Sequence, residues 1–150
     1  MISKKEKKEM NNKLEKILGC RLDGKIEVAD FEDKKLIIVD GKIRGFIIND
    51  EPFLNVEGLK ECKANKRYVE VDDGAIKYIL NGADVMAAGI TKCDENIKKG
   101  DIVWVRDQRS LPIAIGIALM DGKEMMEAKK GKTVKNIHHI GDKIWKMANE

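Results

Sequence analysis

Apolar residues recur at two spacings along this chain, and the change between them separates helical from extended segments. The chain opens with a helical pattern: Ser3 and Glu6 match a capping box, and Gly19 is placed to end the helix. The apolar face of this predicted helix carries Met10, Leu14, Ile17 and Leu18. The opposite face is mostly lysine and glutamate, which suits a helix that docks one side on its own domain.

From Lys25 the pattern becomes extended and rich in β-branched residues. It predicts strands over Lys25–Val28, Lys35–Val39 and Ile43–Ile48. Asp40-Gly41 predicts a tight type I′ hairpin between the second and third strands. Pro52 is expected to end the third strand, because proline cannot continue a hydrogen-bonded ladder. Residues 1–64 are therefore predicted to form a small α+β domain.

The polar segment Glu61–Lys66 lacks periodicity and marks the predicted boundary to a second domain, residues 65–150. Beyond it the pattern predicts several short strands and two short helices: strands Arg67–Val71, Ile102–Val105, Pro112–Met120 and Val134–Ile140, and helices Asp73–Leu80 (capped by Asp72) and Lys123–Lys129. Short strands separated by turns are typical of a small barrel. The predicted fold class is thus α+β, with the N-terminal domain packed on a C-terminal barrel.

The composition limits the possible partners and location of the protein but does not indicate a function. Of 150 residues 37% are charged, both signs are interspersed, and the net charge of +3 is weak evidence for a polyanionic partner. No apolar run approaches the roughly 20 residues needed to span a bilayer, and the first residues lack the apolar core of a secretory signal. We therefore expect a cytoplasmic protein with no membrane partner.

The chain carries few residues of catalytic or metal-binding type. Cys20, Cys62 and Cys93 are odd in number and widely spaced, which argues against a zinc site and a disulfide framework and predicts reduced thiols. His138 and His139 are adjacent, so on a strand they would point to opposite faces and not share a metal ion. No nucleotide-binding, hydrolase or metalloprotease motif occurs. We expect no catalytic residue, no metal and no cofactor.

One loop has a composition that suits contact with a ligand through its backbone. Gly82–Ile90 combines two glycines with three alanines, and a positive φ is expected at Gly89. Such a loop can leave a shallow groove for a single-stranded nucleotide end. Alternatively, its glycines only close a helix and turn a barrel corner. The sequence of this loop leaves both interpretations open.

Two segments resemble the two ends of a PUA domain, an RNA-binding pseudobarrel. These are Val69–Ile90 (VEVDDGAIKYILNGADVMAAGI) and Gly131–Trp145 (GKTVKNIHHIGDKIW). The resemblance implies a mixed β pseudobarrel with short helices, in which the loop and the last strand line an RNA-binding groove. The RNA-binding residues that it implies here are Lys77, Asn81, Gly82, Ala83, Asp84, Val85, Met86, Gly89, Ile90, Lys132, Lys135, Asn136 and His138. Ala88 departs from the proline that is common at this position.

A small α+β domain before a PUA domain resembles the malignant-T-cell-amplified-sequence family and its archaeal relatives. The resemblance implies a non-enzymatic, translation-associated factor that binds the tRNA acceptor end or another structured RNA. It also implies a site of action at or near the small ribosomal subunit, with a partner similar to density-regulated protein. Two alternatives remain: an RNA-binding accessory subunit of a separate RNA-modification enzyme, and a protein-interaction module with a PUA fold.

Overall fold

A computed structural model describes residues 1–32 and 34–149 of the chain. It divides into two compact units, Met1–Lys66 and Arg67–Lys146, and residues 147–149 group with the first unit. The last residue of the predicted second domain, Glu150, lies outside the described residues.

The first unit pairs a long helix with a four-stranded antiparallel sheet. Its elements are α1 (Lys4–Leu18), β1 (Ile26–Phe31), β2 (Lys34–Val39), β3 (Lys42–Ile48), β4 (Glu51–Leu54) and α2 (Val56–Glu61), with the strands in the order β1-β2-β3-β4. The capping box at Ser3 and the left-handed end at Gly19 are both formed as predicted. Asp40 and Gly41 both have positive φ, as a type I′ hairpin requires.

Two elements of this unit were missed, β4 and α2. Pro52 was expected to end a strand, but it lies inside β4, where it pairs with Ile47. The prediction was wrong because β4 is an edge strand, and proline is tolerated where its missing N–H would face away from the neighbouring strand. Asn55 caps α2 by accepting a hydrogen bond from the backbone of Gly58 at 2.8 Å.

The prediction of three reduced thiols was also wrong. Cys20, just after α1, and Cys62, at the end of α2, are joined by a disulfide with their Cα atoms 5.9 Å apart. The two residues are 42 positions apart in the sequence, so only the folding of α2 beside the end of α1 brings them together. Cys93 remains a buried free thiol in the second unit.

The second unit is a nearly closed six-stranded pseudobarrel. Its elements are β5 (Tyr68–Val71), α3 (Asp73–Ile79), β6 (Val85–Met86), β7 (Ile90–Cys93), β8 (Ile102–Arg106), β9 (Pro112–Ala118), α4 (Gly122–Glu127) and β10 (Lys132–His139), and a further helix, α5 (Lys143–Ala148), follows. The strand order is β6-β10-β9-β8-β5-β7, with β5 and β8 parallel and every other pair antiparallel. A short 3-10 turn, Ala87–Gly89, connects the two edge strands β6 and β7. The predicted α+β class with a mixed β pseudobarrel is confirmed.

The interior of this unit is filled by β-branched and small side chains. Val69, Val103, Val105 and Val134 are fully or almost fully buried, and Ile79 brings α3 onto the same core. Backbone hydrogen bonds from Ala83 to Tyr78 and from Asp72 to Gly89 hold the loop that follows α3 beside the helix. Among the described residues, no helix is long and apolar enough to cross a membrane.

Candidate nucleic-acid groove

An open groove of about 630 Å³ runs between α3 and the loop that follows it. Its walls come from α3, from the segment between α3 and β7, and from the first residue of β10. The lining residues are Asp72, Gly74, Ala75, Tyr78, Ile79, Gly82, Ala83, Asp84, Met86, Ala88, Gly89 and Lys132. Most of this surface is apolar, and all of it lies within the second unit.

Local hydrogen bonds explain why the chain leaves α3 and forms one wall of the groove. Asp72 caps α3 by accepting a hydrogen bond from the Ala75 N–H at 3.0 Å. At the other end, the Ala83 N–H donates to the carbonyl of Tyr78 at 3.0 Å. Gly82 has a φ of +93°, and this left-handed backbone lets the chain change direction after α3. A residue with a side chain would adopt this conformation less readily. The loop is therefore held by its own backbone beside the helix.

Gly89 is needed for a different reason from the one predicted. Its φ is not positive, so the expectation of a left-handed residue there was wrong. A Cβ atom at Gly89 would lie 3.1 Å from the Cβ atom of Ala75 on α3. The Asp72 N–H also donates to the Gly89 carbonyl at 2.9 Å. Glycine is thus favoured at this position because the loop backbone approaches α3 closely.

The loop is tied to β10 by Asp84. One carboxylate oxygen, Oδ1, accepts a hydrogen bond from the Asn136 N–H at 2.9 Å, and the other, Oδ2, lies 3.3 Å from Lys132 Nζ. The Asn136 side-chain amide donates to the carbonyls of Ile79 and Ala83, each at 3.0 Å. The backbone hydrogen bond from Asn136, helped by Lys132, lowers the pKa of Asp84 although desolvation opposes ionisation. Asp84 is therefore ionised at neutral pH.

The structure brings six of the thirteen predicted residues to the groove surface: Gly82, Ala83, Asp84, Met86, Gly89 and Lys132. Lys77, Asn81 and Lys135 are exposed but do not line it, and Ile90 is half-buried. Asn136 holds the loop through the hydrogen bonds described above. It supports the groove from behind and does not form its surface.

Two of the predicted RNA-binding residues have enclosed side chains. Val85 and His138 are each 1% exposed. Val85 belongs to the pseudobarrel core. The pairing of β10 with β9 shifts between Asn136 and His138, and the His138 ring lies inside, with Nδ1 2.9 Å from a carboxylate oxygen of Asp142. Neither side chain is presented to a ligand.

Other groove residues were not singled out from the sequence. Asp72, Ala75, Tyr78 and Ile79 follow helical spacing and share one side of α3. Tyr78 is 59% exposed, and the Lys77 ammonium lies 5.1 Å from the centre of its ring. Tyr78 could have been predicted from the sequence, because it is an aromatic residue on a helix face that also carries Ala75 and Ile79.

Nothing in the groove favours a metal ion. Among residues 1–32 and 34–149, no three histidine, cysteine or acidic side chains are arranged to hold one. The groove instead offers an exposed ring, small apolar side chains and two carboxylates, and a loop held by its own backbone. Such a surface suits a planar, uncharged group that carries hydrogen-bond donors.

The comparisons with known proteins place this groove within a family. The family model described as "PUA domain" matches residues 67–140. Translation machinery-associated protein 20 of Saccharomyces cerevisiae is 32% identical over 83% of this chain and 74% of its own length. The chain belongs to the PUA-domain family that includes translation machinery-associated protein 20. The PUA match contains every residue that lines the groove.

Further relatives match most of this PUA-domain protein, including its first unit. An uncharacterised protein of Methanocaldococcus jannaschii is 44% identical over 96% of this chain and 93% of its own length. A conserved PUA domain protein from Thermoplasma acidophilum has a solved structure that is 34% identical, covers 98% of this chain and 97% of its own, and gives a TM-score of 0.85. Malignant T-cell-amplified sequence 1 of Rattus norvegicus is 24% identical over 77% of this chain and 66% of its own length. The predicted resemblance is confirmed.

Proposed function

We propose that this protein is a non-enzymatic, RNA-binding factor of translation that holds a single-stranded RNA end in its PUA groove. The RNA that we favour is the acceptor end of a tRNA, bound at or near the small ribosomal subunit in the cytoplasm. The relatives named for the translation machinery support the setting. The groove itself carries the proposal, because an open apolar surface between a helix and a backbone-held loop suits an unpaired nucleotide.

The predicted phosphate contacts have two exposed candidates at the edge of the groove. Lys132 begins β10, and Lys135 follows on the same strand, exposed to solvent. Lys132 lines the groove and lies 3.3 Å from Asp84, and the charge of Lys135, three positions further along β10, also lowers the pKa of Asp84. Phosphates that enter past this rim would gain from the two positive charges. An alternative remains for this segment: a solvated, lysine-rich turn with no ligand.

The first unit would then meet a second partner. Lys4, Lys5, Lys8 and Lys16 of α1 are exposed, while Leu14, Ile17 and Leu18 of the same helix are buried in the unit. The helix carries six lysines and three glutamates, and this excess of positive charge on a well-anchored helix suits ribosomal RNA, the body of a tRNA or an acidic protein surface. We therefore assign to this unit the contact with the ribosome or with a partner similar to density-regulated protein.

The deciding experiment compares one tRNA in two forms, with an intact CCA end and with that end removed, each titrated across a salt series. The proposal predicts clearly weaker binding after trimming, because the groove loses its occupant while the backbone contacts remain. Equal and strongly salt-dependent binding of both forms would mean general phosphate contact and would refute the groove assignment. No binding to either form would favour the protein-interaction module. Recovery of a catalytic RNA-modification enzyme with the protein from its source cells would favour the accessory-subunit alternative.

A further inference from the structure

The chain passes from the first unit to the second between Lys66 and Arg67, and the residues before this point are held against the end of α1. The N–H groups of Asn65 and Lys66 both donate to the carbonyl of Leu18, at 2.9 Å and 3.3 Å. The side chain of Asn65 lies beside Gly19, in the space that a Cβ atom there would occupy. The last residues of the first unit therefore lie along the C-terminal end of α1.

The disulfide between Cys20 and Cys62 lies at the same place. Cys20 follows the glycine that ends α1, and Cys62 ends α2 and begins residues 62–66, called here the exit segment. Cys62 is 7% exposed, whereas Cys20 is half-buried. Because access decides which sulfur of a disulfide is attacked, a small thiol reaches this bond from the side of Cys20.

The chain after Cys20 is anchored without the disulfide. The Asn11 side chain donates to the carbonyl of Leu22 at 2.9 Å and accepts from the Leu22 N–H at 2.7 Å. Asn11 is 5% exposed, so this pair of hydrogen bonds is shielded from water. The segment that follows α1 is therefore fixed to that helix by Asn11 as well as by the disulfide.

The exit segment has weaker support. The two amide hydrogen bonds described above share one carbonyl, and the one from Lys66 is long at 3.3 Å. The segment follows α2, which has six residues, and so short a helix depends on its tertiary contacts. Beyond the segment, the Arg67 N–H donates to the Asp94 carboxylate at 2.7 Å, so Arg67 is anchored within the second unit. Loss of the disulfide should therefore act mainly on the exit segment.

We propose that the Cys20–Cys62 disulfide is a redox-sensitive clamp, which holds the exit segment against α1 when it is oxidised and releases the segment when it is reduced. A thiolate of a dithiol reductant attacks the Cys20 sulfur, the S–S bond breaks, and Cys62 leaves as a thiolate that takes up a proton. The second thiol of the reductant then displaces Cys20 and closes a disulfide within the reductant. Two electrons and two protons thus pass from the reductant to the protein.

The setting determines how the bond is used. Disulfides of proteins in a reducing compartment are usually transient and act in catalysis or redox sensing. This step rests on the cytoplasmic location proposed above. The release of the exit segment rests on contacts within the first unit and does not depend on RNA binding.

Hydrogen exchange of the backbone amides in the full chain tests the clamp, with the protein first oxidised and then reduced by dithiothreitol without denaturant. A thiol count confirms that both cysteines of the disulfide have been released. The amides of Asn65 and Lys66 are expected to exchange at least about tenfold faster after reduction, because their contact with Leu18 opens. The Leu22 amide, held by Asn11, should keep its rate, as should the strands of the second unit.

Variants fix each state of the clamp. Cys62→Ser cannot form the disulfide, so Asn65 and Lys66 should exchange rapidly with or without reductant. Cys93→Ala is the control and should respond to reductant as wild-type protein does. Trypsin gives a second measurement, since cleavage after the exposed Lys63 should be faster in the reduced protein and in Cys62→Ser. If Cys62→Ser does not fold, the two redox forms of wild-type protein decide the matter.

Three results would overturn the inference. The first is equal exchange of Asn65 and Lys66 in the two redox forms. The second is a disulfide that dithiothreitol reduces only after denaturant has unfolded the protein, because the bond would then be purely structural. The third is faster exchange throughout the first unit, Leu22 included, because reduction would then unfold the unit and not release one segment. Failure of the tRNA titrations would overturn the proposed function and leave this inference standing.

Discussion

The Asp84 carboxylate lies 3.3 Å from the Lys132 ammonium, and this pair joins the loop after α3 to the start of β10. The two residues are far apart in the sequence and belong to the two segments that resemble a PUA domain. Their side chains are 24% and 64% exposed, so the pair itself adds little stability. Its importance lies in the electrostatics of the groove, since it places a carboxylate beside the one ammonium group that lines the groove.

Lys132 and Lys135 should control how RNA binding depends on salt. Replacing both with glutamine is expected to weaken binding, because phosphates near the rim lose their positive partners. For single-stranded RNA, the slope of log affinity against log salt should become shallower by about 0.7 for each lost contact. Lys98→Gln with Lys99→Gln makes the same charge change at two exposed positions outside the groove and should leave the slope unchanged. An unchanged slope in the first variant would remove these lysines from the site.

Tyr78 should act as a platform for an unpaired base. Tyr78→Ala is expected to weaken binding of a single-stranded end by about 1–3 kcal/mol, the usual contribution of one stacked base. Tyr78→Phe keeps the ring and should retain most of the affinity. The ring is 59% exposed, so neither change should lower the melting temperature by more than a few degrees. Full affinity of a folded Tyr78→Ala protein would show that no base stacks there.

Gly89 and Ala75 should be coupled energetically. Gly89→Ala places a Cβ atom 3.1 Å from that of Ala75 and is expected to destabilise the protein by about 1 kcal/mol. Ala75→Gly removes the opposing methyl group but weakens α3 by a similar amount. In the double variant, the cost of the Gly89→Ala change should fall to near zero. Denaturant unfolding of the four proteins measures this coupling, and strict additivity would contradict the close approach.

Much of the fold could be predicted because local signals agreed with the final structure. The capping box at Ser3, the Asp40-Gly41 hairpin and the cap at Asp72 depend on neighbours a few residues away, and all three are formed. β4 and α2 were missed because their signals conflict: Pro52 argues against a strand, and α2 has only six residues. Short elements depend on tertiary packing more than on local preference.

The sequence indicated which loop forms the groove but not which side chains face into it. The glycines and alanines of the loop identified one wall, but the resemblance implied the last strand as the other, whereas α3 forms that wall and only Lys132 of β10 lines the groove. The orientation of His138 depends on a pairing shift in β10, and the role of Asp84 depends on contact with a distant strand. Neither leaves a signal in the adjacent residues. The same holds for Cys20 and Cys62, whose approach depends on the folding of the first unit.

Asp142 should stabilise the end of β10 in a manner that depends on pH. Burial opposes its ionisation, but hydrogen bonds from His138 and from the Trp145 and His139 N–H groups outweigh this, so the pKa of Asp142 lies below its usual value. Because the pKa of Asp142 is lower in the folded than in the unfolded protein, the ionised carboxylate stabilises the fold at pH values above the unfolded pKa, about 3.9. This stabilisation is lost as the pH falls through the folded pKa.

Asp142→Asn measures this contribution. At pH 7 the free energy of unfolding of the variant is expected to be about 1–3 kcal/mol lower than that of wild-type protein, because hydrogen bonds to a charged carboxylate are lost. That difference should shrink as the pH falls below about 4, where the carboxylate of the unfolded protein begins to protonate while that of the folded protein is still ionised. Denaturant titrations at several pH values test both statements. A difference that grows towards acid pH would have the wrong sign and would contradict the assignment.

The disulfide between Cys20 and Cys62 predicts a specific count of reactive thiols. The chain has three cysteines, and the remaining one, Cys93, is buried, which together with Asp94 and Glu95 raises the pKa of its thiol to about 11. Thiolate is the reactive form, so Cys93 should label only after unfolding. Native protein should therefore show no rapidly reacting thiol, unreduced unfolded protein one, and reduced unfolded protein three. Three thiols in unreduced unfolded protein would show that the disulfide is absent.

The same disulfide should stabilise the first unit. It closes a loop across 42 sequence positions, and the chain-entropy relation gives a contribution of about 4 kcal/mol for such a loop. Cys62→Ser is therefore expected to lower the free energy of unfolding by about 2–4 kcal/mol under oxidising conditions and to abolish the effect of added reductant. Cys93→Ala is the control, because it leaves the Cys20–Cys62 bond in place and should keep the full sensitivity to reductant. If wild-type protein unfolds at the same denaturant concentration with and without reductant, the disulfide does not stabilise the unit, and its stability must come from the packing of α1 and α2 on the sheet.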